Sequence, residues 1–221
     1  EKAQETLEIY APLADRLGIS RVKVELDDLA LRYLEPKAYH EIEEKIEEMS
    51  QSKERVIESL VEKVQHLMNS EHIPSSVIGR RKHIFSIYKK MVSQNKSFDE
   101  IYDIFAVRVL VQDLKDCYAA LGALHVNFTP LSERFKDYIA RPKPNRYQSL
   151  HTTLIDRGGT LFEVQIRTYE MDKVAEYGIA AHWKYKEKAK GENPTVTGGE
   201  AEKMRWLRQI LEWQREMPDS K

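Results

Sequence analysis

The stretch DIFAVRVLV, residues 103–111, decides the fold class of this 221-residue chain. It is rich in β-branched and aromatic residues and too short for a typical helix, so we predict a core strand. Asp113 follows directly and predicts the N-cap of a helix. The apolar residues after it share one helical face: Leu114, Cys117, Tyr118, Leu121 and Leu124.

Two further strands are predicted downstream, at 149–155 and 160–167, because the turn sequence DRGG (156–159) joins two strand-like runs. Alternation in the second strand places Phe162, Val164 and Ile166 on one face. The other face carries Leu161, Glu163, Gln165 and Arg167. That polar face is either a cleft or an ordinary solvent-facing surface. Strands interleaved with helices, together with a hairpin, indicate an α/β domain with a mixed sheet flanked by helices.

Helical patterns lie before and after these strands. Most of the first 70 residues have helical periodicity, with Gly18 as a helix stop and Pro36 at a helix start. This part of the sequence predicts a helical appendage. Further helices are predicted at 82–92, from Thr168 to about His182 and at about 202–213, with a glycine-containing loop at 191–199.

The composition is that of a globular chain, with 41% hydrophobic and 32% charged residues. No apolar stretch approaches the roughly 18 to 20 residues of a membrane span, and no secretory signal is recognisable at the start, so we expect no membrane partner. The single cysteine, Cys117, excludes an internal disulfide framework and a multi-cysteine zinc site, and it predicts a cytoplasmic protein. A net charge of −1 gives no general attraction to nucleic acid, so we expect no specific nucleic-acid binding.

Basic residues are concentrated in two segments. Residues 73–97 contain no acid and residues 134–151 contain only Asp137. The basic residues of these segments are Arg80, Arg81, Lys82, Lys89, Lys90 and Lys96, then Arg134, Lys136, Arg141, Lys143 and Arg146. Such concentration favours a local anion site, although each segment alone could equally be a solvated helical face.

Two carboxylates fit phosphoryl chemistry beside these cations. Asp103 opens an otherwise apolar strand, and Glu163 lies on the polar strand face. Carboxylates hold Mg²⁺, whereas Arg and Lys neutralise phosphate oxygens. Taken alone, Asp103 could simply cap a turn. No Walker loop, GxGxxG motif or clustered His/Asp set is present, which excludes the common nucleotide-binding loops and a metallohydrolase of that type.

The segment RPKPNRYQSLH, residues 141–151, has the composition of a purine pocket. Its two prolines stiffen the backbone. An aromatic ring beside amides and cations supplies a stacking face together with edge and phosphate contacts. The residues available for this are Lys143, Asn145, Tyr147, Gln148 and His151. The alternative is a structural proline-rich loop with a core tyrosine.

An ordered set of motifs resembles the synthetase part of RelA/SpoT-type alarmone enzymes. The matching runs are GRRKHIFSIYKKM (79–91), YDIFAVRVL (102–110), RFKDYIARPKPNRYQSLHTT (134–153), LFEVQIRT (161–168) and AEYGIAAHWKYK (175–186). YAPLADRLGI (10–19) resembles the last helix of the hydrolase domain that precedes the synthetase in long members, and LRQILEWQ (207–214) resembles the segment that follows it.

The resemblance implies a nucleotidyltransferase-like fold and transfer of pyrophosphate from ATP to the 3′-hydroxyl of GDP or GTP, giving ppGpp or pppGpp and AMP. It implies that Asp103 and Glu163 hold Mg²⁺ and that Glu163 also activates the 3′-hydroxyl. ATP would be held by Arg80, Lys82, Ser86 and Lys90. In the acceptor site Tyr147 would stack on guanine, and the site would be completed by Lys143, Asn145 and His151.

The resemblance also implies a longer, bifunctional parent, because its RFKD motif (Arg134, Lys136 and Asp137) is the basic form found in bifunctional members. It implies three parts: a helical region at 1–70, a synthetase domain at 71–187, and a loop with a C-terminal helix at 188–221. Hydrolase activity is not expected, since the His-Asp metal motif has no match here, and ribosome contact is expected only through the parent. Arg146 stands where many members have glycine, which could alter the acceptor pocket.

Two other functions compete with this one. A nucleotidyltransferase acting on RNA ends would show Gly-Ser followed by paired aspartates, a pattern that the sequence lacks. A non-catalytic nucleotide or nucleic-acid-binding module would use the basic segments without needing Asp103 and Glu163 together. The histidines within apolar helical patterns are predicted to be structural: His83, His125 and His182.

Overall fold

The computed structural model describes residues 1–101 and 105–178, apart from the side chains of residues 50–54, 99 and 105. The predicted metal ligand Asp103, the end of the helix predicted from Thr168, including His182, the loop at 191–199 and the helix at 202–213 lie outside the described residues. Among the described residues, no helix combines the length and the apolar character that crossing a membrane requires.

The first 70 residues are helical, as predicted. They form α1 (Lys2–Glu5), a π-helical turn (Thr6–Tyr10), α2 (Ala11–Arg16), α3 (Ser20–Leu34) and the 35-residue α4 (Pro36–Ser70). Gly18 has a φ of +72°, which ends the first helical stretch where the sequence predicts a stop. Pro36 occupies the first turn of α4, where its missing N–H costs nothing.

The remaining described residues form a mixed sheet with helices. The strands are β1 (Ser75–Arg81), β2 (Phe105–Val111), β3 (Thr129–Pro130), β4 (Lys136–Asp137), β5 (Leu150–Ile155) and β6 (Leu161–Thr168). The strand order is β1-β2-β6-β5-β3, with β4 also paired to β5. Only the β2–β6 pair is parallel, and the other described pairs are antiparallel. The helices are α5 (Ile84–Gln94), α6 (Leu114–Asn127) and α7 (Tyr169–Tyr177), and single 3-10 turns lie at Phe98–Glu100 and Ser132–Arg134.

Local capping explains where these elements begin. The Asp113 carboxylate accepts a hydrogen bond from the Asp116 N–H at 2.9 Å, and the Thr168 hydroxyl accepts one from the Met171 N–H at 3.1 Å. In the predicted hairpin turn, Asp156 accepts from the N–H groups of Gly158 and Thr160. The helix predicted from residue 82 starts two residues later, because residues 75–81 pair with β2.

The main core lies between one face of the sheet, α6 and the C-terminal half of α4. It is formed by fully buried side chains such as Val64, Met68, Val109, Leu124, Val164 and Ile166. Phe162, Val164 and Ile166 therefore face the core, as the alternation predicts. A second cluster joins α4 to α5 through Ile42, Ile46, Ile87, Phe98 and Ile101.

Candidate active site

The face of the sheet opposite the main core is polar and largely covered. Residues directly opposite one another on paired strands project from the same face. Ala106 of β2 lies opposite both Arg80 of β1 and Glu163 of β6, and Gln165 of β6 lies opposite both Arg108 of β2 and His151 of β5. Gln165 is only 7% exposed and Arg167 only 2%, so this part of the face is not an ordinary solvent-facing surface.

A chain of contacts crosses this face from β1 to the loop before β5. Arg80 Nη1 donates to Gln165 Oε1 at 3.1 Å, and Gln165 Nε2 donates to Glu163 Oε1 at 2.9 Å. His151 Nδ1 lies 3.6 Å from the same Glu163 oxygen, and His151 Nε2 lies 2.8 Å from the Tyr147 hydroxyl. The predicted catalytic glutamate is thus in the middle, with a predicted ATP-binding residue on one side and two predicted acceptor residues on the other.

Burial sets the protonation state of the histidine in this series of contacts. It lowers the pKa of His151 to about 4, against the opposing effect of the Glu163 carboxylate, and nearby Lys143 lowers it further. His151 is therefore neutral at pH 7, so that Nε2 can accept a hydrogen bond from Tyr147 while Nδ1–H faces Glu163. Burial and the charge of Arg108 also lower the pKa of Arg80, which stays protonated because an arginine pKa begins so high.

The loop before β5 gathers the predicted acceptor residues around one ring. Asn145 Oδ1 accepts from the Tyr147 N–H at 3.1 Å, and Lys143 Nζ lies 5.1 Å from the Tyr147 ring centroid. The His151 and Tyr147 rings meet edge to face, with centroids 5.8 Å apart. Arg146 has a φ of +61°, so the position that the resemblance associates with glycine does adopt a left-handed conformation.

The predicted ATP-binding residues lie at the junction of β1 and α5. Arg80 is in β1, Lys82 is in the turn after it, and Ser86 and Lys90 are four residues apart on α5, on one helical face. Arg80 Nη2 lies 3.3 Å from His83 Nε2. Burial and the charge of Arg80 lower the pKa of His83 to about 4, so His83 is also neutral at pH 7.

The RFKD residues occupy three different local settings. Arg134 ends a 3-10 turn, and Lys136 lies opposite His151 in the β4–β5 pair. The Asp137 carboxylate accepts from the N–H groups of Ile139 and Ala140 and from the Tyr118 hydroxyl. Asp137 therefore stabilises the turn that follows β4.

Three residues that the sequence did not single out contribute to this site: Arg108, Asp172 and Glu176. Gln165 and Arg167, which the sequence predicts only as part of a polar strand face, lie beside them. Arg108 of β2 donates to Asp172 and Glu176 of α7 at 3.0 and 3.2 Å, and Arg167 Nη2 lies 2.8 Å from Asp172. Arg167 Cζ lies 5.7 Å from the Tyr147 ring centroid. Gln165 links Arg80 to Glu163. The sequence does carry a signal for Arg108, because an arginine within the apolar strand DIFAVRVLV would be buried and would need an anionic partner.

Within the described residues, no group of three or more His, Cys, Asp or Glu side chains could hold a metal ion without other ligands. Glu163 is the predicted ligand that the structure describes. Mg²⁺ commonly binds one or two protein carboxylates and completes its octahedron with substrate phosphates and water, so a single described carboxylate on this face fits such a site.

The protein is therefore a mixed-sheet α/β domain. On the polar face of its sheet, Glu163 lies between the cationic residue Arg80 and the aromatic residue Tyr147. Residues 79–190 match the family model described as the region found in RelA / SpoT proteins. The chain belongs to the RelA/SpoT family, which confirms the resemblance.

Curated relatives match almost the whole chain. It is 50% identical over 219 residues to the probable guanosine-3′,5′-bis(diphosphate) 3′-pyrophosphohydrolase of Synechocystis sp., covering 99% of this chain and 29% of that protein. It is 47% identical over 230 residues to the GTP pyrophosphokinase of Streptomyces coelicolor, covering 99% of this chain and 27% of that protein. The chain thus spans less than a third of the length of either relative.

A solved structure supports the fold. The GTP pyrophosphokinase family protein from Streptococcus pneumoniae is 26% identical, with a TM-score of 0.50 over 79% of this chain and 93% of that one. The predicted fold class, a nucleotidyltransferase-like mixed sheet flanked by helices, is confirmed.

Proposed function

We propose that this chain is the synthetase part of a GTP pyrophosphokinase, which transfers pyrophosphate from ATP to the 3′-hydroxyl of GDP or GTP. The observation that carries the proposal is the contact chain Arg80–Gln165–Glu163–His151–Tyr147. In this series of contacts the Glu163 carboxylate lies between the half-buried guanidinium of Arg80, whose charge suits phosphate, and the Tyr147 ring, which suits a purine.

In this reaction the 3′-hydroxyl oxygen bonds to the β-phosphorus of ATP, and the bond from that phosphorus to the α–β bridging oxygen breaks. AMP leaves with the bridging oxygen, and the hydroxyl proton passes to Glu163, which acts as general base. Two polyanions must be aligned for this attack, and cations must offset their repulsion. Arg80, Lys82 and Lys90 would do this on the ATP side, where Ser86 would add a hydrogen bond.

On the acceptor side Tyr147 would stack on guanine, with Lys143, Asn145 and His151 around it. A neutral His151 suits this place, because it can orient the Tyr147 ring without adding a charge that would compete for Glu163. Arg146 already has a left-handed backbone, the conformation that glycine adopts most readily. We infer that arginine is tolerated there.

Mg²⁺ would be held by Glu163 and Asp103 together with the nucleotide phosphates. Bound there, it would neutralise charge on the transferred group. The RFKD residues would add positive potential beside His151 through Lys136 and Arg134.

The wider context is also proposed. Residues 71–187 would be the synthetase domain, preceded by the helical region 1–70 and followed by a loop and helix at 188–221. Any hydrolase activity or ribosome contact would belong to other parts of a longer parent. A consumer of ATP and GDP or GTP needs the nucleotide pools of the cytoplasm, so we place it there.

The test is an assay of the purified chain with Mg²⁺, labelled ATP and GDP, with products separated by ion exchange. We expect equimolar ppGpp and AMP. Glu163→Gln keeps the shape of the side chain but removes the base, so it should abolish transfer while ATP and GDP still bind. Glu47→Gln, an exposed change on α4, is the matched control and should leave the rate unchanged.

Nucleotide binding without products in the wild type, and with no effect of Glu163→Gln, would favour a non-catalytic module instead. In a parallel reaction that also contains RNA, incorporation of label into RNA ends would favour the other nucleotidyltransferase activity.

A further inference from the structure

The N-terminus of α5 is capped by a residue from the helical region. Asp28 of α3 accepts a hydrogen bond from the Phe85 N–H at 2.8 Å, across 57 positions of sequence. The residue at the N-cap position of α5, His83, makes no side-chain cap hydrogen bond. Orphan N–H groups at a helix N-terminus are stabilised by a carboxylate, both by hydrogen bonding and by the helix dipole.

Asp28 is well placed for this role. Its carboxylate is half-buried, and burial raises its pKa, while hydrogen bonds from the backbone of Phe85 and Ile84 lower it. The neighbouring Asp27 is buried and pairs with Lys23 within α3. The two adjacent acids therefore differ in function, because one closes an ion pair inside its own helix and the other reaches a second helix.

The capped helix belongs to the ATP side of the site. α5 carries Ser86 and Lys90, and His83 at its start contacts Arg80. Farther along α5, Ile87 packs into the apolar cluster with Ile42 and Ile46 of α4. The helical region thus holds α5 in two ways, through apolar packing along the helix and through Asp28 at its N-terminal end.

We propose that Asp28 is a positioning residue for the ATP side, which holds the first turn of α5 and through it Arg80, Ser86 and Lys90. This proposal rests on the proposed pyrophosphokinase function. Asp28 touches no substrate in it. Its loss should weaken ATP binding and leave the acceptor side intact, because Tyr147, Asn145 and His151 lie on other elements.

The test compares Asp28→Ala with Asp28→Asn. Alanine removes the acceptor, so ATP binding must order the uncapped turn. The typical cost of a lost cap then sets an upper limit of about a fivefold rise in KM for ATP, and we expect KM for GDP within about twofold of wild type. Asparagine keeps an acceptor oxygen and should restore most of the affinity. Glu25→Ala, an exposed change on α3, should have no effect, and Asp27→Asn should lower stability without separating the two KM values.

Amide hydrogen exchange at Phe85 supplies a second readout that needs no turnover. We expect faster exchange in Asp28→Ala than in wild type or Asp28→Asn. If the wild type makes no ppGpp, the pyrophosphokinase proposal fails, and the positioning role is then judged by titration of ATP together with this exchange. An equal rise in both KM values, or faster exchange at Phe85 with unchanged ATP affinity, would overturn the role of Asp28.

Discussion

Arg146→Gly tests whether the acceptor turn is already formed in this chain. A β-carbon in the left-handed region costs about 1–2 kcal/mol, and Arg146 has a φ of +61°. Glycine removes that cost but adds roughly 0.5–1 kcal/mol of backbone entropy to the unfolded state. The difference between these two ranges is centred on a net gain of about 0.75 kcal/mol in the free energy of unfolding. For a domain of this size, that corresponds to a Tm increase of about 1–4 °C.

The same change should leave acceptor affinity alone. The turn is closed by a hydrogen bond from the Arg146 N–H to the Lys143 carbonyl at 2.8 Å, and glycine keeps that donor. Arg146→Ala is the control, because it removes the guanidinium but retains the β-carbon, so it should show none of the gain. Thermal unfolding by circular dichroism gives Tm, and initial rates give KM for GDP.

Either of two results would refute this reasoning. An equal gain in Arg146→Ala would assign the effect to side-chain charge rather than to the backbone. A lower KM for GDP in Arg146→Gly alone would mean that arginine distorts the acceptor pocket.

Two further predictions concern the groups around the site. Asp172→Ala takes one carboxylate from the buried guanidiniums of Arg108 and Arg167, so we expect a loss of about 3 kcal/mol in urea unfolding, and a loss under about 1 kcal/mol would contradict the ion-pair account. Acidification should destabilise the fold. In the folded chain His151 and His83 each have a pKa of about 4, below the usual 6.5. As the pH falls from 6.5 toward 4, the unfolded chain therefore binds more protons than the folded chain does. Each histidine lowers the free energy of unfolding by at most about 1.4 kcal/mol per pH unit in that window. Urea titrations at pH 7 and pH 5 measure this loss, and His151→Gln should remove part of it. A loss that is the same in His151→Gln as in wild type would show that His151 titrates normally.

The elements that the sequence predicted well are those with local signals. Asp113 and Thr168 cap helices through hydrogen bonds to residues three positions away, so their signatures are complete within one turn. The strand β1 carries no such signature, because SSVIGRR has neither clean alternation nor an apolar run. It is a strand because it pairs with β2 and because α4 crosses it closely: a β-carbon on Gly79 would lie 3.2 Å from Ile57 Cγ2. Such contacts join residues that are far apart in the sequence, so local sequence patterns do not predict them.

In the candidate site, too, the sequence does not predict which charged side chains pair with one another. Alternation and pairing put Arg80, Arg108 and Arg167 on one sheet face. Composition distinguishes Arg80, which lies in the acid-free basic segment 73–97, but it does not predict the partners of the three guanidiniums. The structure separates them by their partners. Arg108 and Arg167 are neutralised by carboxylates of α7, whereas within the described part of the chain Arg80 hydrogen-bonds to the neutral groups Gln165 and His83. A guanidinium whose hydrogen-bond partners are neutral can still pair with an incoming anion, whereas the charge of one paired with a carboxylate is already neutralised. We therefore propose Arg80 as the arginine of this face that binds phosphate, whereas Arg108 and Arg167 join the sheet to α7.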